Sequence, residues 1–150
     1  MYTLIQKGYE ISKDKSRLNI SFIHQYLSGQ SYWAKNIPLE IVQKSIEGAV
    51  CFGVYYRQQQ VGFARMVSDC ATFGYLADVF ICTEHRGIGL SKWLMHTIIT
   101  DEAFADLRRW MLATKDAHEL YRQFGFTELD MPGRFMQRKM FTEYPAADPE

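Results

Sequence analysis

The residues best suited to bind a ligand lie between a strand pattern and a helix pattern. The run Arg86-Gly87-Ile88-Gly89-Leu90-Ser91 follows the apolar residues 76–82 and leads into an amphipathic stretch. A turn at a helix start leaves backbone N–H groups unpaired, with the positive end of the helix dipole behind them. The two glycines leave the backbone bare and permit positive φ, while Arg86 adds a positive charge. The run therefore predicts an anion site suited to a phosphate.

Two familiar phosphate loops do not fit this run. A dinucleotide fingerprint needs a third glycine three residues after Gly89, where Lys92 stands, and no Gly-Lys-Ser/Thr follows a four-residue spacer. A nucleotide-binding domain is therefore disfavoured. The simpler alternative is that the glycine run is only a tight turn at the start of a helix and binds no ligand.

Composition limits the class of protein. A chain of 150 residues suits one domain over residues 1–150, with a frayed tail at 143–150. Its formal net charge of zero disfavours nucleic acid and anionic membranes as partners. The three cysteines are odd in number and lack Cys-x-x-Cys spacing, which favours reduced thiols over a disulfide frame or metal site. With no signal peptide or membrane-length apolar run, we expect a cytoplasmic protein, its oligomeric state open and a homodimer included.

The pattern of apolar residues predicts an α/β fold with a mixed sheet and helices on both faces. Residues 76–113 read as strand, loop, helix and strand, which is a βαβ crossover with parallel strands. Asn19 is expected to cap a helix, and Pro38 to begin another. The predicted strands are 9–12, 49–56, 61–67, 76–82, 110–113 and 135–141, and the predicted helices are 18–27, 38–48, 90–101 and 116–124.

Two motifs at the expected separation resemble one family over essentially the whole chain. Arg86-x-x-Gly89-x-Ser91 resembles the Arg/Gln-x-x-Gly-x-Gly/Ala loop of GNAT-superfamily N-acetyltransferases, with Ser at the position of the last Gly or Ala. Residues 120–126, Leu-Tyr-Arg-Gln-Phe-Gly-Phe, resemble the family's Leu-Tyr-x-x-x-Gly-Phe segment. The resemblance implies the GNAT fold, in which a splayed pair of parallel strands binds acetyl-CoA.

The resemblance also implies which positions hold the cofactor. The loop amides would take the pyrophosphate, and a bulge in the strand before the loop would free an N–H for the thioester carbonyl. A continuous ladder without a bulge is the alternative. Thr114 stands where the family often has Asn. The implied cofactor-binding residues are Val79, Phe80, Ile81, Arg86, Gly87, Ile88, Gly89, Leu90, Ser91, Thr114 and Tyr121.

Acetyl transfer to an amine needs a proton donor for the leaving thiolate and a means of deprotonating the amine. The family's segment implies Tyr121 as the general acid, against the alternative of a tyrosine that only packs. Asp78 lies inside an apolar strand and is the candidate base, although an ion pair with Arg65 is equally expected. Asp116, His118 or water relays remain open.

The acceptor site is expected at the first two predicted helices and the loop between them. The candidate substrate-binding residues are Tyr26, Tyr32, Trp33, Arg65 and Asp78. Because no base partner for Cys82 is evident, direct attack by a small-molecule primary amine in a ternary complex is favoured over an acetyl-cysteine relay. The alternative function is a non-catalytic module that binds acyl-CoA for a partner.

Overall fold

The apolar strand patterns form one five-stranded mixed sheet in a computed structural model that describes residues 2–146. The strands follow one another across the sheet in chain order. They are β1 (Tyr9–Ser12), β2 (Val50–Tyr56), β3 (Gln59–Ser68), β4 (Phe73–Ile81) and β5 (Arg109–Met111). The helices are α1 (Tyr2–Gln6), α2 (Ile20–Gly29), α3 (Leu39–Glu47), α4 (Leu90–Ile99) and α5 (His118–Arg122). Of the tail predicted at 143–150, the last four residues lie outside the described residues.

Only the last strand pair is parallel. β1 to β4 pair antiparallel, whereas β4 and β5 pair in parallel through three residues each, ending at Tyr75 opposite Met111. The crossover predicted from residues 76–113 is therefore confirmed. This crossover passes through α4 and returns the chain to the edge of β4. A helical connection of this kind is the usual way to join two parallel strands.

The β3–β4 ladder contains a bulge. Phe63 pairs with Phe80 and Arg65 pairs with Ala77, so that two residues of β4 lie opposite Ala64. One of them is Asp78, whose φ of 54° lies in the left-handed region. A bulge of this kind bends the strand and interrupts its pairing. The alternative of an uninterrupted ladder is therefore wrong.

Helices cover both faces of the sheet, as predicted. On one face, the buried side of α4 packs against residues such as Phe52 and Val54. On the other, α2 and α3 pack against Phe63 and Phe80. Successive strand residues point to opposite faces, so that apolar side chains from the same strands supply both cores.

The predicted helix starts on the α2–α3 side also hold. The Asn19 side chain accepts a hydrogen bond from the Phe22 N–H at 3.0 Å, which satisfies one free donor of α2. Pro38 directly precedes α3 with an extended backbone, a position where its missing N–H costs nothing. These two helix starts set the limits of the loop at residues 30–37, which reaches the functional site.

Three differences concern the ends of the chain and the edge of the sheet. The strand predicted at 135–141 is wrong, since those residues form neither strand nor helix. The strand predicted at 110–113 is shorter and begins earlier, at Arg109. The short helix α1 was not predicted. A strand needs a paired neighbour to persist, and among residues 2–146 the segment 135–141 pairs with no strand.

The packing of α4 predicts a stability difference between two leucines. Leu94 is 0% exposed on α4, whereas Leu39 is 41% exposed at the start of α3. We expect Leu94→Ala to lower the free energy of unfolding by about 2–5 kcal/mol, because it leaves a cavity in the core. Leu39→Ala, the matched control, should change it by less than about 1 kcal/mol. Urea denaturation followed by circular dichroism measures both, and equal losses would contradict this account of the core.

Candidate functional site

A stretch of bare backbone leads into α4. A short 3-10 turn, Thr83–His85, follows β4, after which Gly87 and Gly89 adopt φ values of 83° and 91°. A Cβ added at either glycine would meet nothing within 4 Å, so the loop is open to solvent. Within residues 2–146, no hydrogen bond uses the N–H of Gly87, Ile88 or Gly89. Together with the first amides of α4, these donors form a cradle for an anion.

Arg86 fastens this loop to the sheet and to α2. Its Nε donates to the Ile81 carbonyl and one Nη donates to the Tyr26 hydroxyl, both at 2.8 Å. Tyr26 is itself buried, with its ring stacked on Phe80 at 3.8 Å between centroids. The structure therefore places Tyr26 behind the loop, away from the cleft that holds the other predicted acceptor residues.

A cleft opens where β4 and β5 separate. Past the pair Tyr75 and Met111 the two strands are no longer hydrogen bonded, and an open cavity of about 340 Å³ lies between them. We call it the splay cleft. Its walls are residues 75–79 from β4 and residues 112–117 after β5, and Tyr32, Trp33 and Tyr121 complete it. The bulge in β4 thus lies in the wall of the cleft.

Two aromatic residues from the α2–α3 loop join the walls of the splay cleft. The Tyr32 hydroxyl accepts a hydrogen bond from the Lys115 N–H at 2.7 Å, on the β5 side. The Trp33 indole N–H donates to Asp78 Oδ1 at 2.8 Å, on the β4 side. The two rings meet edge to face, with centroids 5.1 Å apart. Tyr32 and Trp33 therefore form a partly exposed roof over the cleft.

Both oxygens of Asp78 are occupied. Oδ2 accepts from Arg65 Nε at 2.9 Å, and the Asp78 side chain is only 9% exposed. A buried carboxylate is stable when a charged partner and hydrogen bonds compensate its lost hydration. The ion pair left open by the sequence is thus present, and it engages the carboxylate that the sequence offered as a candidate base.

Tyr121, on α5, lines the splay cleft. It is 8% exposed, and no hydrogen bond within residues 2–146 uses its hydroxyl. Burial raises its pKa to about 12, with smaller contributions from Tyr32 and Asp116. A neutral phenol whose hydroxyl makes no hydrogen bond to the described residues can donate a proton or a hydrogen bond to a molecule bound in the cleft.

The other predicted residues divide between the cleft and the core. Val79 lines the splay cleft, while the side chains of Phe80 and Ile81 pack in the two cores. The Thr114 hydroxyl accepts from the Ala117 N–H at 3.1 Å, which leaves its O–H free to donate. Burial is the main factor that raises the pKa of the Cys82 thiol, which opposes a nucleophilic thiolate at that position.

The sequence missed two features of the site. Nothing in the pattern linked Tyr26 to Arg86, because the two residues lie sixty positions apart and meet only through the fold. Lys115 also went unassigned, although its backbone anchors the roof. The bulge did leave a signal, since a polar Asp78 interrupts an apolar strand.

Two classes of feature are missing from the part of the chain that the structure describes. Between residues 2 and 146, no helix combines the length and apolarity needed to cross a membrane. The same residues hold no group of three or more His, Cys, Asp or Glu side chains placed to bind a metal ion.

Comparisons with known proteins agree on one family. The model of the GNAT acetyltransferase domain matches residues 47–128. A candidate acetyltransferase of Gibberella zeae is 33% identical over 135 aligned residues, 75% of each chain. The crystal structure of a candidate GNAT acetyltransferase from Xanthomonas campestris pv. campestris is 47% identical, with a TM-score of 0.86, over 88% of this chain and 93% of its own.

A more distant structure shares the fold. It is a candidate acetyltransferase of Clostridium acetobutylicum crystallised with acetyl-CoA, 16% identical, with a TM-score of 0.61. The alignment covers 88% of this chain and 95% of that one.

The raised pKa of Tyr121 predicts late ionisation of this phenol. An unfolded tyrosine ionises near pH 10, so the folded chain should hold its Tyr121 proton up to about pH 12. The contribution of this group to stability is then fully present below pH 10 and is lost as the pH rises towards 12. NMR of ring-carbon-labelled tyrosines, assigned with Tyr121→Phe, measures the titration. A midpoint near pH 10 would contradict the burial of this hydroxyl.

Proposed function

Because the chain belongs to the GNAT family of acetyltransferases, we propose that it moves an acetyl group from acetyl-CoA to a primary amine of a small molecule. The observation that carries this proposal is the splay cleft, which Tyr121 lines, together with the bare loop that follows β4, the strand that forms one wall of the cleft. A long, thin thioester with an anionic end fits such an arrangement. Its acyl end would lie in the cleft and its phosphates at α4.

The loop supports binding of the pyrophosphate. The amides of residues 87–91 meet the positive end of α4 with no side chain covering the two glycines. The Arg86 guanidinium is already engaged with Ile81 and Tyr26, so its role is to hold the loop in place. Backbone donors and the helix dipole then carry most of the recognition.

The splay cleft supports binding of the pantetheine arm. Beyond Tyr75 and Met111 the facing edges of the strands have no ladder partner, and an extended amide chain can occupy such an edge like an added strand. The bulge at Asp78 and Val79 turns the β4 backbone at this point. An N–H presented there would polarise the thioester carbonyl and stabilise the developing oxyanion.

Proton transfer is assigned to Tyr121 and to water. The amine nitrogen attacks the thioester carbon, the C–S bond breaks, and the Tyr121 hydroxyl gives its proton to the leaving sulfur. Water accepts the amine proton, and the tyrosine is reprotonated from solvent. The burial that raises the Tyr121 pKa to about 12 would also raise the pKa of a thiol held in the same cleft, which makes the leaving thiolate a stronger base for the Tyr121 proton.

The acceptor is assigned to the space under the aromatic roof. Tyr32 and Trp33 are partly exposed there, and an aromatic face attracts a cationic amine before it is deprotonated. Asp78 and Arg65 neutralise each other at 2.9 Å, so we assign them to holding Trp33 and the bulge. This role is positional, and it leaves deprotonation to water.

We also place the reaction in the cytoplasm. Cys51, Cys70 and Cys82 are all free thiols, and Cys70 is exposed. A reducing compartment maintains exposed thiols in this state.

The alternative function, a module that binds acyl-CoA without reacting, makes a different prediction for the same protein. Titration calorimetry with acetyl-CoA measures binding, and a thiol-release assay over a panel of primary amines measures transfer. Binding with release on at least one amine supports the enzyme. Binding without release on any amine supports the module, and no binding at millimolar donor would overturn both.

We expect Tyr121→Phe to slow turnover about 100-fold, since one general acid typically contributes 10²–10⁴-fold. The phenyl ring fills the same space, so the Kd for acetyl-CoA should stay within about 2-fold of wild type. The turnover rate is measured by thiol release with the best amine of the panel, and the Kd is measured by calorimetry, on both the wild type and the variant. Unchanged turnover would remove Tyr121 from the chemistry.

We expect Gly89→Ala to weaken acetyl-CoA binding about 10-fold, because its φ of 91° disfavours any residue with a Cβ. Gly29→Ala is the matched control, since it also meets open space but has no positive φ. Calorimetric titration of both variants gives the Kd values. If Gly89→Ala bound like Gly29→Ala, the loop would not be the phosphate site.

A further inference from the structure

An unfilled slot runs along the outer edge of β5. Two adjoining cavities, of about 530 and 320 Å³, lie between residues 108–114 on one side and residues 124–130 on the other. We call them together the edge slot. A polypeptide segment that runs beside β5 without pairing to it leaves room for a strand between the two.

The residues of β5 are less buried than their sequence predicts. Trp110, Met111, Leu112 and Ala113 form a continuous apolar run, which is typical of a strand covered on both sides. None of the four is buried, whereas the central residues of β2 and β3 are. Only three residues of β5 pair with β4, so that within residues 2–146 positions 112–114 have no ladder partner on either side. This strand is therefore missing a neighbour.

The segment that the sequence predicts as a strand lies outside the slot. Residues 135–141, which we call the C-terminal segment, expose Met136 to 97% and also expose Met140 and Phe141. Within the described residues, no backbone group between positions 136 and 141 makes a hydrogen bond. Exposed apolar side chains together with unpaired backbone are the features of an edge strand without its partner.

Two contacts anchor the chain at the start of the C-terminal segment and just after its end. At one end, the Arg109 guanidinium lies over the Phe135 ring at 4.9 Å. At the other, Asn36 donates to the Tyr144 carbonyl at 3.4 Å, and Tyr144 packs against the α2–α3 core. Between these anchors the described residues form neither helix nor strand, so no secondary structure has to be broken before the segment pairs.

We propose that the C-terminal segment of a second copy of this chain enters the edge slot and pairs with β5. The exchange is reciprocal, as the symmetry of a two-fold dimer requires. It supplies β5 with its missing neighbour, and it covers the exposed methionines and Phe141. The chemistry of the two surfaces is complementary, because the segment carries Arg138 and Lys139 while Glu128 in the slot makes no ion pair within residues 2–146.

The exchanged strand would complete the splay cleft from outside. Leu112, Ala113 and Thr114 line both the splay cleft and the edge slot, so one stretch of backbone separates the two. A strand hydrogen bonded on the slot side fixes that wall. The consequence for acetyl-CoA rests on the proposed function, whereas the pairing itself does not.

Cross-linking of the wild-type protein tests whether the strand in the edge slot comes from the same chain or from a second copy. Equal amounts of ¹⁴N- and ¹⁵N-labelled chains are unfolded together, refolded and treated with an amine-reactive reagent. We expect mixed-isotope cross-links between Lys139, in the C-terminal segment, and Lys115, which follows β5. Cross-links between these lysines in same-isotope pairs alone would place the segment in its own slot and overturn the proposal.

A proline pair tests whether backbone pairing holds the dimer. Consecutive N–H groups of a strand point to opposite sides, so the double substitution Gln137→Pro/Arg138→Pro removes whichever donor faces β5. We expect it to raise the dimer dissociation constant at least about 100-fold in sedimentation velocity. The matched control, Gln137→Ala/Arg138→Ala, keeps both donors and should remain a dimer.

Hydrogen exchange gives a local measure of the same contact. In the wild-type dimer, the backbone amides of residues 137–141 and 112–114 should be protected from exchange. The proline pair should abolish this protection in both segments. A monomeric wild-type protein would overturn the proposal. So would a dimer in which residues 137–141 exchange at the rate of an unfolded peptide. These wild-type measurements decide the matter even if the proline variant fails to fold, and none of them depends on acetyl-CoA.

Discussion

The ion pair between Asp78 and Arg65 is the interaction on which the geometry of the site depends. It fixes a residue with positive φ in β4, beside the edge strand β5, a conformation that persists only where the surroundings determine it. Trp33 uses the second carboxylate oxygen, so the same group that stabilises the bulge also holds the roof. Bulge, cleft wall and roof are therefore one connected unit.

A second connected unit surrounds the loop before α4. Arg86 bonds to the end of β4 and to Tyr26, whose ring lies against Phe80. The loop amides remain free because a side chain holds the loop from behind. The family assignment accounts for such a loop, and the anchoring by Arg86 and Tyr26 shows how this particular sequence builds it.

Sequence reasoning succeeded where the signal is local. Asn19 caps α2, the strand before Gly87 and the helix after Gly89 lie where their patterns indicated, and β4 and β5 are parallel. It was wrong at residues 135–141, where a last strand was predicted and the structure has none. Strand formation requires a partner edge, and no property of the segment itself says whether its own chain supplies one.

By itself, the sequence determined the family, the glycine loop and the candidate acid Tyr121, because each depends on residue types at short spacing. Only the tertiary structure decided that Asp78 is paired with Arg65, that Tyr26 supports the loop and that β5 has no outer neighbour among the described residues. These outcomes depend on contacts between residues distant in sequence. Such contacts are set by the register of the strands and the placement of the helices, which a linear pattern does not contain.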